Sequence, residues 1–497
     1  MRTGSLHAHA LRYASSSLLV SLAGFVSFPI LTRILSVAEY GAMSWISSAL
    51  TLLVVLGKLG LQHALLRFHA EVEAGRHGVT QGQYLSTVLF GQLWGSVGAL
   101  LIGAACVAAL PAGGLSSPLS SGLLLLALLL LPIRVLDSAI ANLLRAQQRS
   151  SLLGSYNALR RWAVLALVLL VLLAVQTDLT AFYLATLVAE FIFTGGMAWY
   201  ALRGMGLSWA SIDRPLLQSM LWYATPMVGY DLSGVLLNLG DRFFIEALLG
   251  PEALGQYSAA YNLCDYASIL LLTSLNQALT PICLKMWETD GPSAVRDFID
   301  RSLHTYLLAS AAMLAAGSAM GGDALALLAS ERYRDAAVVV PTVLGALLLC
   351  GCVPLMGMGL TLAKQSGRLT GMILVSAAVN MALNAVLIAP LGLQGAALAT
   401  LAGYALQLAG ATLLAWKVLP VRIPVIDVLR LGLCASLAYL AMQWVNAAGA
   451  MQLLMLEAVT GLSVFIATAS LVDARSRATF LRLTHRLLSR SGRAASS

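Results

Sequence analysis

Two stretches of the chain mark the boundary between apolar runs in the same way: LTRILSVAEYGAMS at residues 31–44 and IEALLGPEALGQYS at residues 245–258. At an offset of 214, Gly41 corresponds to Gly255. Each stretch closes one apolar run and opens the next. A boundary that occurs twice in this way predicts two copies of one helical hairpin within a longer repeat.

The composition indicates that the bilayer is the solvent for this chain. Of its 497 residues, 59% are hydrophobic and 10% charged, and the mean hydropathy is +0.83, whereas soluble domains carry about 25% charged residues. Apolar runs recur at a length that crosses a hydrocarbon core about 30 Å thick. The sequence therefore predicts an all-α polytopic membrane protein. Its fourteen predicted spans are residues 14–34, 41–66, 83–110, 121–144, 157–176, 179–201, 216–240, 255–284, 302–322, 336–362, 369–390, 393–416, 425–446 and 451–472.

Basic residues are distributed unevenly between the two sides of these spans. With a cytoplasmic N-terminus, the cytoplasmic loops, tails and adjoining helix ends hold 23 Lys and Arg, with Arg160 and Arg161 among them. The opposite side holds four, with Arg33 at a helix end among them, and three lie deeper within spans. Because Lys and Arg are retained on the cytoplasmic side, both termini are predicted to be cytoplasmic. The net charge of +8 is thereby explained without a nucleic-acid partner.

Two further pairs of similar segments support an internal repeat. LATL at 184–187 returns at 398–401, and RAQQRS at 145–150 aligns with LAKQSG at 362–367 at offset 217. They predict two parallel six-helix repeats; chance similarity among Leu- and Ala-rich segments is the alternative. The predicted domains are residues 1–201 and 202–416 for the two bundles, 417–472 for an appended helix pair, and 473–497 for a basic amphipathic tail on the cytoplasmic membrane surface.

These features together resemble a known family. The LTRILSVAEYG turn, the segment DRFFIEALLGPEALGQYSAAYNL at 241–263 and the plan of six, six and two helices resemble the polysaccharide transporter family. That family includes O-antigen-type flippases for lipid-linked oligosaccharides, and its superfamily also holds multidrug and toxic-compound extruders. The resemblance covers essentially the whole chain.

The resemblance implies a V-shaped pair of bundles around a central cavity that opens alternately to each side of the bacterial cytoplasmic (inner) membrane. The implied cargo is an oligosaccharide on a polyprenyl diphosphate, moved to the outer leaflet for O-antigen or exopolysaccharide biosynthesis. A monomer is expected, with a polysaccharide polymerase and chain-length machinery as partners. The twin turns would be hairpin tips on the outer face, where Gly41 and Gly255 supply tight backbone.

A diphosphate crossing the bilayer needs cations along its path, because a bare charge at the membrane centre costs at least about 2.5 to 3.5 kcal/mol. The predicted substrate-binding residues are Lys58, Arg134, Arg160 and Arg161. Each has an alternative interpretation. Lys58 can snorkel to the interface, Arg134 can neutralise Asp137 one turn away, and the Arg160–Arg161 pair can be a positive-inside anchor.

Acidic residues within spans are candidates for coupling transport to an ion gradient, because a poorly solvated carboxylate can exchange a proton. The alternative is that each is a satisfied partner of an arginine or of backbone. The predicted ion-coupling residues are Asp137, Glu190, Asp231 and Asp265. Asp241 and Arg242 adjoin at an outer helix end and are predicted to form a local gate pair.

Two other functions remain as alternatives to a flippase. An ion-coupled exporter of small drugs, from the same superfamily, would have an acidic, aromatic-lined cavity. A membrane glycan polymerase or ligase would need room outside the membrane, yet the longest predicted outer loops have about 13 residues. No catalytic residues, cofactor or metal site are predicted, since no metalloprotease, P-loop or nucleotide-fold signature is found and CGC at 350–352 lacks a second ligand pair.

Overall fold

The structure is a computed structural model that describes the backbone of residues 3–109, 117–447 and 449–481. It describes the side chains of these residues except 3–18, 270, 272–278 and 366. The described residues form helices joined by short turns, with no strand among them. The prediction of an all-α fold is confirmed.

The chain divides into two compact units, residues 1–255 and 256–497. The first unit contains α1 (Thr3–Ile34), α2 (Val37–Lys58), α3 (Leu61–Glu73), α4 (Gln81–Ala108), α5 (Ser121–Leu128), α6 (Leu130–Ala146), α7 (Ser150–Ala174), α8 (Leu179–Leu202), a short 3-10 helix (Trp209–Ser211), α9 (Arg214–Leu239) and α10 (Asp241–Leu249). Helix α11 (Pro251–Thr289) begins in the first unit and continues into the second. The second unit also contains α12 (Gly291–Leu328), a 3-10 helix (Glu331–Val339), α13 (Val340–Met356), α14 (Met358–Leu362), α15 (Ser366–Leu391), α16 (Leu393–Ala415), α17 (Val425–Gln443) and α18 (Ala450–Val472).

Eleven helical segments of the described residues are long and apolar enough to cross a membrane. The other three predicted spans coincide with α1, α9 and α11. In α1 the apolar segment is the shorter stretch Leu19–Ile34, and α11 contains the side chains 272–278 that fall outside the described set. The chain is a multi-pass membrane protein, and the number fourteen stays a prediction, as do the predicted domain boundaries.

The predicted second span, residues 41–66, is not one continuous helix. α2 ends at Lys58 because Leu59 (φ 52°) and Gly60 (φ 68°) both adopt left-handed backbone, after which α3 begins. A Cβ atom on Gly60 would lie 2.6 Å from the carbonyl oxygen of Ala224 in α9. Glycine therefore suits this position for two reasons, its φ angle and the close approach of another helix.

The two opening stretches cross each other closely within the first unit. Ser36 caps α2 and forms a capping box with Glu39, so α2 is already helical when it reaches Gly41. A Cβ on Gly41 would lie 1.9 Å from the carbonyl oxygen of Pro251, and a Cβ on Gly255 would lie 2.0 Å from that of Val37.

This crossing corrects the reason given for the two glycines. Both lie inside helices rather than in a turn, and they permit two helix starts to touch. The left-handed turn residue of the second stretch is Gly250, with φ 88°. The contact is reciprocal, since each glycine faces the carbonyl oxygen one helical turn before its counterpart. We call this contact the glycine crossing.

The turns after α6 and α14 share one backbone geometry, with a register that differs from the predicted one. Gln148 and Lys364 both have φ 57°, and the helices that follow begin at Ser150 and Ser366. Both pairs correspond at an offset of 216, so the predicted offset of 217 is wrong by one. Helices α8 and α16 begin at Leu179 and Leu393, at an offset of 214, in agreement with the LATL echo. The six-helix repeat itself stays a prediction.

The last two helices are attached to the second unit through α12. α17 and α18 pack on each other and on α12. His304 of α12 lies between two carboxylates, 3.4 Å from Asp427 of α17 and 3.2 Å from Asp473 after α18. Burial alone would raise the pKa of Asp473, but hydrogen bonds from the side chain and backbone of Ser476 and from the backbone of Arg475 lower it below its ordinary value.

The beginning of the predicted tail is helical, over residues 474–481. Phe480 packs against an apolar cluster of the second unit that includes Leu431 and Phe465. Leu483 and Leu487, which complete the predicted apolar stripe of the tail, lie outside the described residues. Binding of the tail to the membrane surface therefore stays a prediction.

Candidate functional site

The first unit holds several charged side chains within its apolar helices. Arg134 of α6 donates two hydrogen bonds to Glu190 of α8, from Nε to Oε2 at 3.1 Å and from Nη2 to Oε1 at 3.2 Å. The side chains are 29% and 11% exposed. This paired geometry matches the guanidinium fork to a planar anion. The predicted partner of Arg134, Asp137, is wrong.

Asp137 instead pairs with the next helix. Arg160 of α7 lies 3.0 Å from its Oδ2 atom, and the Tyr156 hydroxyl donates to its Oδ1 atom at 2.7 Å. The same hydroxyl lies 3.4 Å from Thr194 of α8. Charged and polar groups of α6, α7 and α8 thus form two clusters, Arg134 with Glu190 and Asp137 with Arg160, Tyr156 and Thr194. We call the two clusters together the charged network.

Lys58, the last residue of α2, is half-buried beside the helix break. Within the described part of the chain, no ion pair or hydrogen bond holds its ammonium group. The carboxylates of Asp231 and Asp137 and the guanidinium of Arg145 interact with it electrostatically. Lys58 is therefore a cation of this region whose ammonium group is not held by a bonded partner among the described residues.

Two residues of α3 bind Asp231 of α9, and sequence reasoning missed both. The Gln62 amide donates to Oδ2 of Asp231 at 2.7 Å, and Nε2 of His63 lies 3.0 Å from the same oxygen. The signal that would have found them is Gly60 closely followed by a polar pair inside an apolar run, because a helix break turns such residues toward a neighbouring helix. Asp231, predicted as an ion-coupling residue, is thereby tied to α3.

Asp241 and Arg242 form the predicted local pair. The guanidinium Nη1 atom of Arg242 lies 3.2 Å from Oδ1 of Asp241 and 3.0 Å from the carbonyl oxygen of Asn238, and Nε donates to Ser44 of α2 at 3.2 Å. Both charged side chains are at least 95% buried. The pair therefore links α10 to α2 close to the glycine crossing, and its role as a gate stays a prediction.

Two further predicted site residues, Arg161 and Asp265, have no part in the contacts described above. Arg161 is exposed on α7. Asp265 belongs to α11 in the second unit, where it is partly buried. Among the residues whose placement is described, no group of three or more His, Cys, Asp or Glu is arranged to hold a metal ion.

Solved structures with a similar fold include a lipid flippase and multidrug transporters. The chain is similar to the lipid II flippase MurJ in an inward closed conformation, with a TM-score of 0.73, 12% identity, and coverage of 92% of this chain and 98% of that one. It is also similar to an inward-facing multidrug resistance MATE family transporter of the MOP superfamily, with a TM-score of 0.60, 14% identity and coverage of 84% and 94%.

A third similar structure is a mutant of the Vibrio cholerae MATE transporter VcmN, with a TM-score of 0.54, 15% identity and coverage of 84% and 98%. At these identities the likeness concerns the fold alone. A comparison with curated protein sequences gives no significant match.

The sequence itself matches one family, described as "Polysaccharide biosynthesis protein", over residues 7–287. The match covers more than half of the chain, including every helix that carries the charged network. It agrees with the family suspected from the LTRILSVAEYG turn. The chain therefore belongs to the polysaccharide biosynthesis protein family, and its fold is similar to that of MurJ and of MATE transporters.

Proposed function

We propose that the protein is a flippase that moves a polyprenyl-diphosphate-linked oligosaccharide from the cytoplasmic to the outer leaflet by alternating access. The observation that carries this proposal is the set of three cations, Lys58, Arg134 and Arg160, among the apolar helices of the first unit. Such a set provides counter-charges for a diphosphate inside a slab where isolated charges are costly. The lipid tail can stay in the bilayer while the head group crosses.

Ligand exchange at Arg134 is the central step. A phosphate group presents two oxygens to a guanidinium as a carboxylate does, so it can replace Glu190 without loss of hydrogen bonds. Glu190, predicted as an ion-coupling residue, would thereby be released from its partner and be free to exchange a proton. Diphosphate binding and proton uptake are thereby linked at one residue pair.

Arg160 and Asp137 offer a second exchange of the same kind. Tyr156 donates to Asp137, so the displaced carboxylate keeps one partner after Arg160 turns toward the ligand. Lys58 needs no exchange and would make the first contact. Arg161, which is exposed, would act at the entrance on the cytoplasmic side, and Asp265 would be a coupling carboxylate of the second unit.

The cellular setting follows from the same proposal. The protein would lie in a bacterial inner membrane with both termini cytoplasmic, act as a monomer, and pass its product to a polysaccharide polymerase and chain-length machinery of an O-antigen or exopolysaccharide pathway. It would perform no covalent chemistry. The Asp241–Arg242 pair would belong to the outer gate.

A flipping assay tests the proposal directly. The purified protein is reconstituted into liposomes with a polyprenyl-diphosphate oligosaccharide that carries a fluorophore on its sugar, and the fraction reached by an impermeant quencher is followed over time. We expect faster loss of protected fluorescence than in protein-free liposomes. The matched control is the same labelled glycan on a lipid without the diphosphate, which should not be moved.

The multidrug-type exporter makes the opposite prediction. An exporter of this kind would transport a cationic dye when a pH gradient is imposed, and it would not transport the lipid-linked glycan. Lys58, which no ion pair holds among the described residues, disfavours this alternative, because its positive charge would repel a cationic substrate. A glycan polymerase or ligase would instead lengthen or transfer the labelled sugar, which chromatography of the recovered lipid would detect.

A further inference from the structure

Helix α9 is contacted at two levels by the chain around the start of α3. Gly60, in the break between α2 and α3, packs against Ala224 and Val228 of α9. Immediately after it, Gln62 and His63 both bind Oδ2 of Asp231. The break and the polar contact therefore rest on the same neighbouring helix.

Only one of the two polar atoms of the Gln62 side-chain amide forms a hydrogen bond. Its side chain is 8% exposed, its Nε2 atom donates to Asp231, and its Oε1 atom is buried with no hydrogen-bond partner. A buried acceptor without a donor is unfavourable, because it has lost its bond to water and gained none in return. Gln62 Oε1 therefore needs a hydrogen-bond donor, which no neighbouring group among the described residues supplies in this structure.

A proton on Asp231 would supply it. With Asp231 ionised, its carboxylate accepts from the Gln62 amide and from His63 Nε2, and Gln62 Oε1 stays unsatisfied. With Asp231 protonated, the new hydroxyl can donate to Gln62 Oε1 once the amide has turned by half a rotation. The amide then points its NH2 group away from the carboxyl. One hydrogen bond between neutral groups replaces the charge-assisted bond from Gln62, and the bond from His63 no longer has a charged acceptor, so the contact between α3 and α9 is weaker.

We propose that Gln62, His63 and Asp231 form a proton-dependent latch that holds α3 against α9 when Asp231 is ionised and releases the α2–α3 break when it is protonated. This deepens the proposed transport function, on which it rests, by assigning the release step to one carboxyl and its two α3 partners. Leu59, a non-glycine residue with φ 52°, lies in the released break and has a less strained conformation to adopt.

The charged and titratable groups around the latch come from every helix packed on α3. Lys58 of α2 interacts electrostatically with Asp231, and also with Asp137 and Arg145 of α6. Tyr84 of α4 is engaged elsewhere, because its hydroxyl donates to the carbonyl oxygen of Leu65.

Hydrogen–deuterium exchange of the full-length protein in nanodiscs tests the latch without any cargo. Amide exchange in the segment 59–73 is measured over a pH series and corrected for the intrinsic pH dependence of exchange. In the wild type we expect corrected exchange to rise about tenfold or more as Asp231 takes up its proton. The reason is that release forfeits hydrogen bonds to a charged group, each of which is stronger than a bond between neutral groups.

Two variants locate the effect. Asp231→Asn, which imitates the protonated state, should exchange rapidly at every pH, and Gln62→Leu should lose most of the pH response. Gln92→Leu is the matched control, because Gln92 of α4 is also a buried glutamine, with both amide atoms unpartnered; it should keep the wild-type response.

A pH-independent wild type would overturn the latch even if both variants fail to fold. A wild-type response in folded Asp231→Asn would overturn it as well. Failure of the latch would leave the flipping assay unaffected, and a protein that moves no glycan could still show the pH response in exchange. The two proposals can therefore fail separately.

Discussion

Replacement of Arg134 shows whether this residue binds the ligand or only neutralises Glu190. In Arg134→Ala, Glu190 keeps its charge and loses both hydrogen bonds from the guanidinium. Breaking a buried ion pair by removing one partner costs about 3 to 5 kcal/mol. Since Arg134 is 29% exposed and Glu190 11% exposed, water reaches the pair in part. We therefore expect a loss of stability at the lower end of that range, about 3 kcal/mol.

The double variant Arg134→Ala with Glu190→Ala removes both charges and leaves no buried ion. It should recover most of the lost stability, because the residual cost is packing around two shortened side chains. A thermal unfolding series in detergent, with all three proteins at equal concentration, measures this recovery. This comparison measures how much the Arg134–Glu190 ion pair contributes to the stability of the folded protein, whatever the cargo is.

Flipping activity gives the second measurement. If Arg134 binds the diphosphate, the double variant stays inactive although it is stable, because two charge-assisted hydrogen bonds to the ligand are missing. Loss of one such bond lowers affinity about 10- to 100-fold. Arg134→Lys should recover part of the activity, because lysine keeps the charge and loses the planar fork.

The refuting result is a double variant that flips the labelled glycan at the wild-type rate per inserted protein. Arg134 would then serve only to neutralise Glu190. The cationic path would have to run through Lys58, Arg160 and Arg161 instead, and the Lys58→Ala variant would become the critical one.

Topology, coupling, packing and acid stability can each be tested with a small set of variants. Single cysteines at Ala38 and Glu252, in a chain without its six native cysteines, should react with an impermeant thiol reagent in intact cells; labelling only after the membrane is opened would reverse the topology. Asp231→Asn should bind cargo but lose stimulation by a pH gradient, and equal stimulation would remove it from coupling. Gly41→Leu should lower the thermal unfolding temperature sharply because its Cβ would lie 1.9 Å from a carbonyl oxygen; unchanged melting would place that backbone elsewhere. Because the pKa of Asp473 is lowered in the folded chain, its stabilising contribution is present near neutral pH and lost as pH falls below its ordinary value of about 4; Asp473→Asn should abolish this part of acid destabilisation, and an unchanged acid profile would contradict it.

The fold class could be predicted from the sequence because hydrophobicity at span length is a property of each segment alone. The starts of α2 and α11 carry local signals of the same kind, since Ser36 and Pro251 are residues that favour a helix start. The break after Lys58 was missed. Leu59 adopts left-handed backbone next to Gly60, which α9 crowds, and that contact joins residues far apart in the chain.

Ion-pair partners were the part that sequence spacing predicted wrongly. Arg134 and Asp137 are three apart on α6, which favours a local pair. Successive helical positions differ by about 100°, so residues three apart point about 60° away from each other. That angle is enough for Arg134 to reach Glu190 on α8 and for Asp137 to reach Arg160 on α7.

The glycine crossing has a consequence for how the sequence can evolve. Because Gly41 and Gly255 each face a carbonyl of the other stretch, a larger residue at either position displaces the start of the opposite helix. A substitution in one stretch is therefore acceptable only if the other stretch already accommodates it. The two stretches can remain recognisably alike, although most of the first unit separates them along the chain, because neither is free to diverge alone.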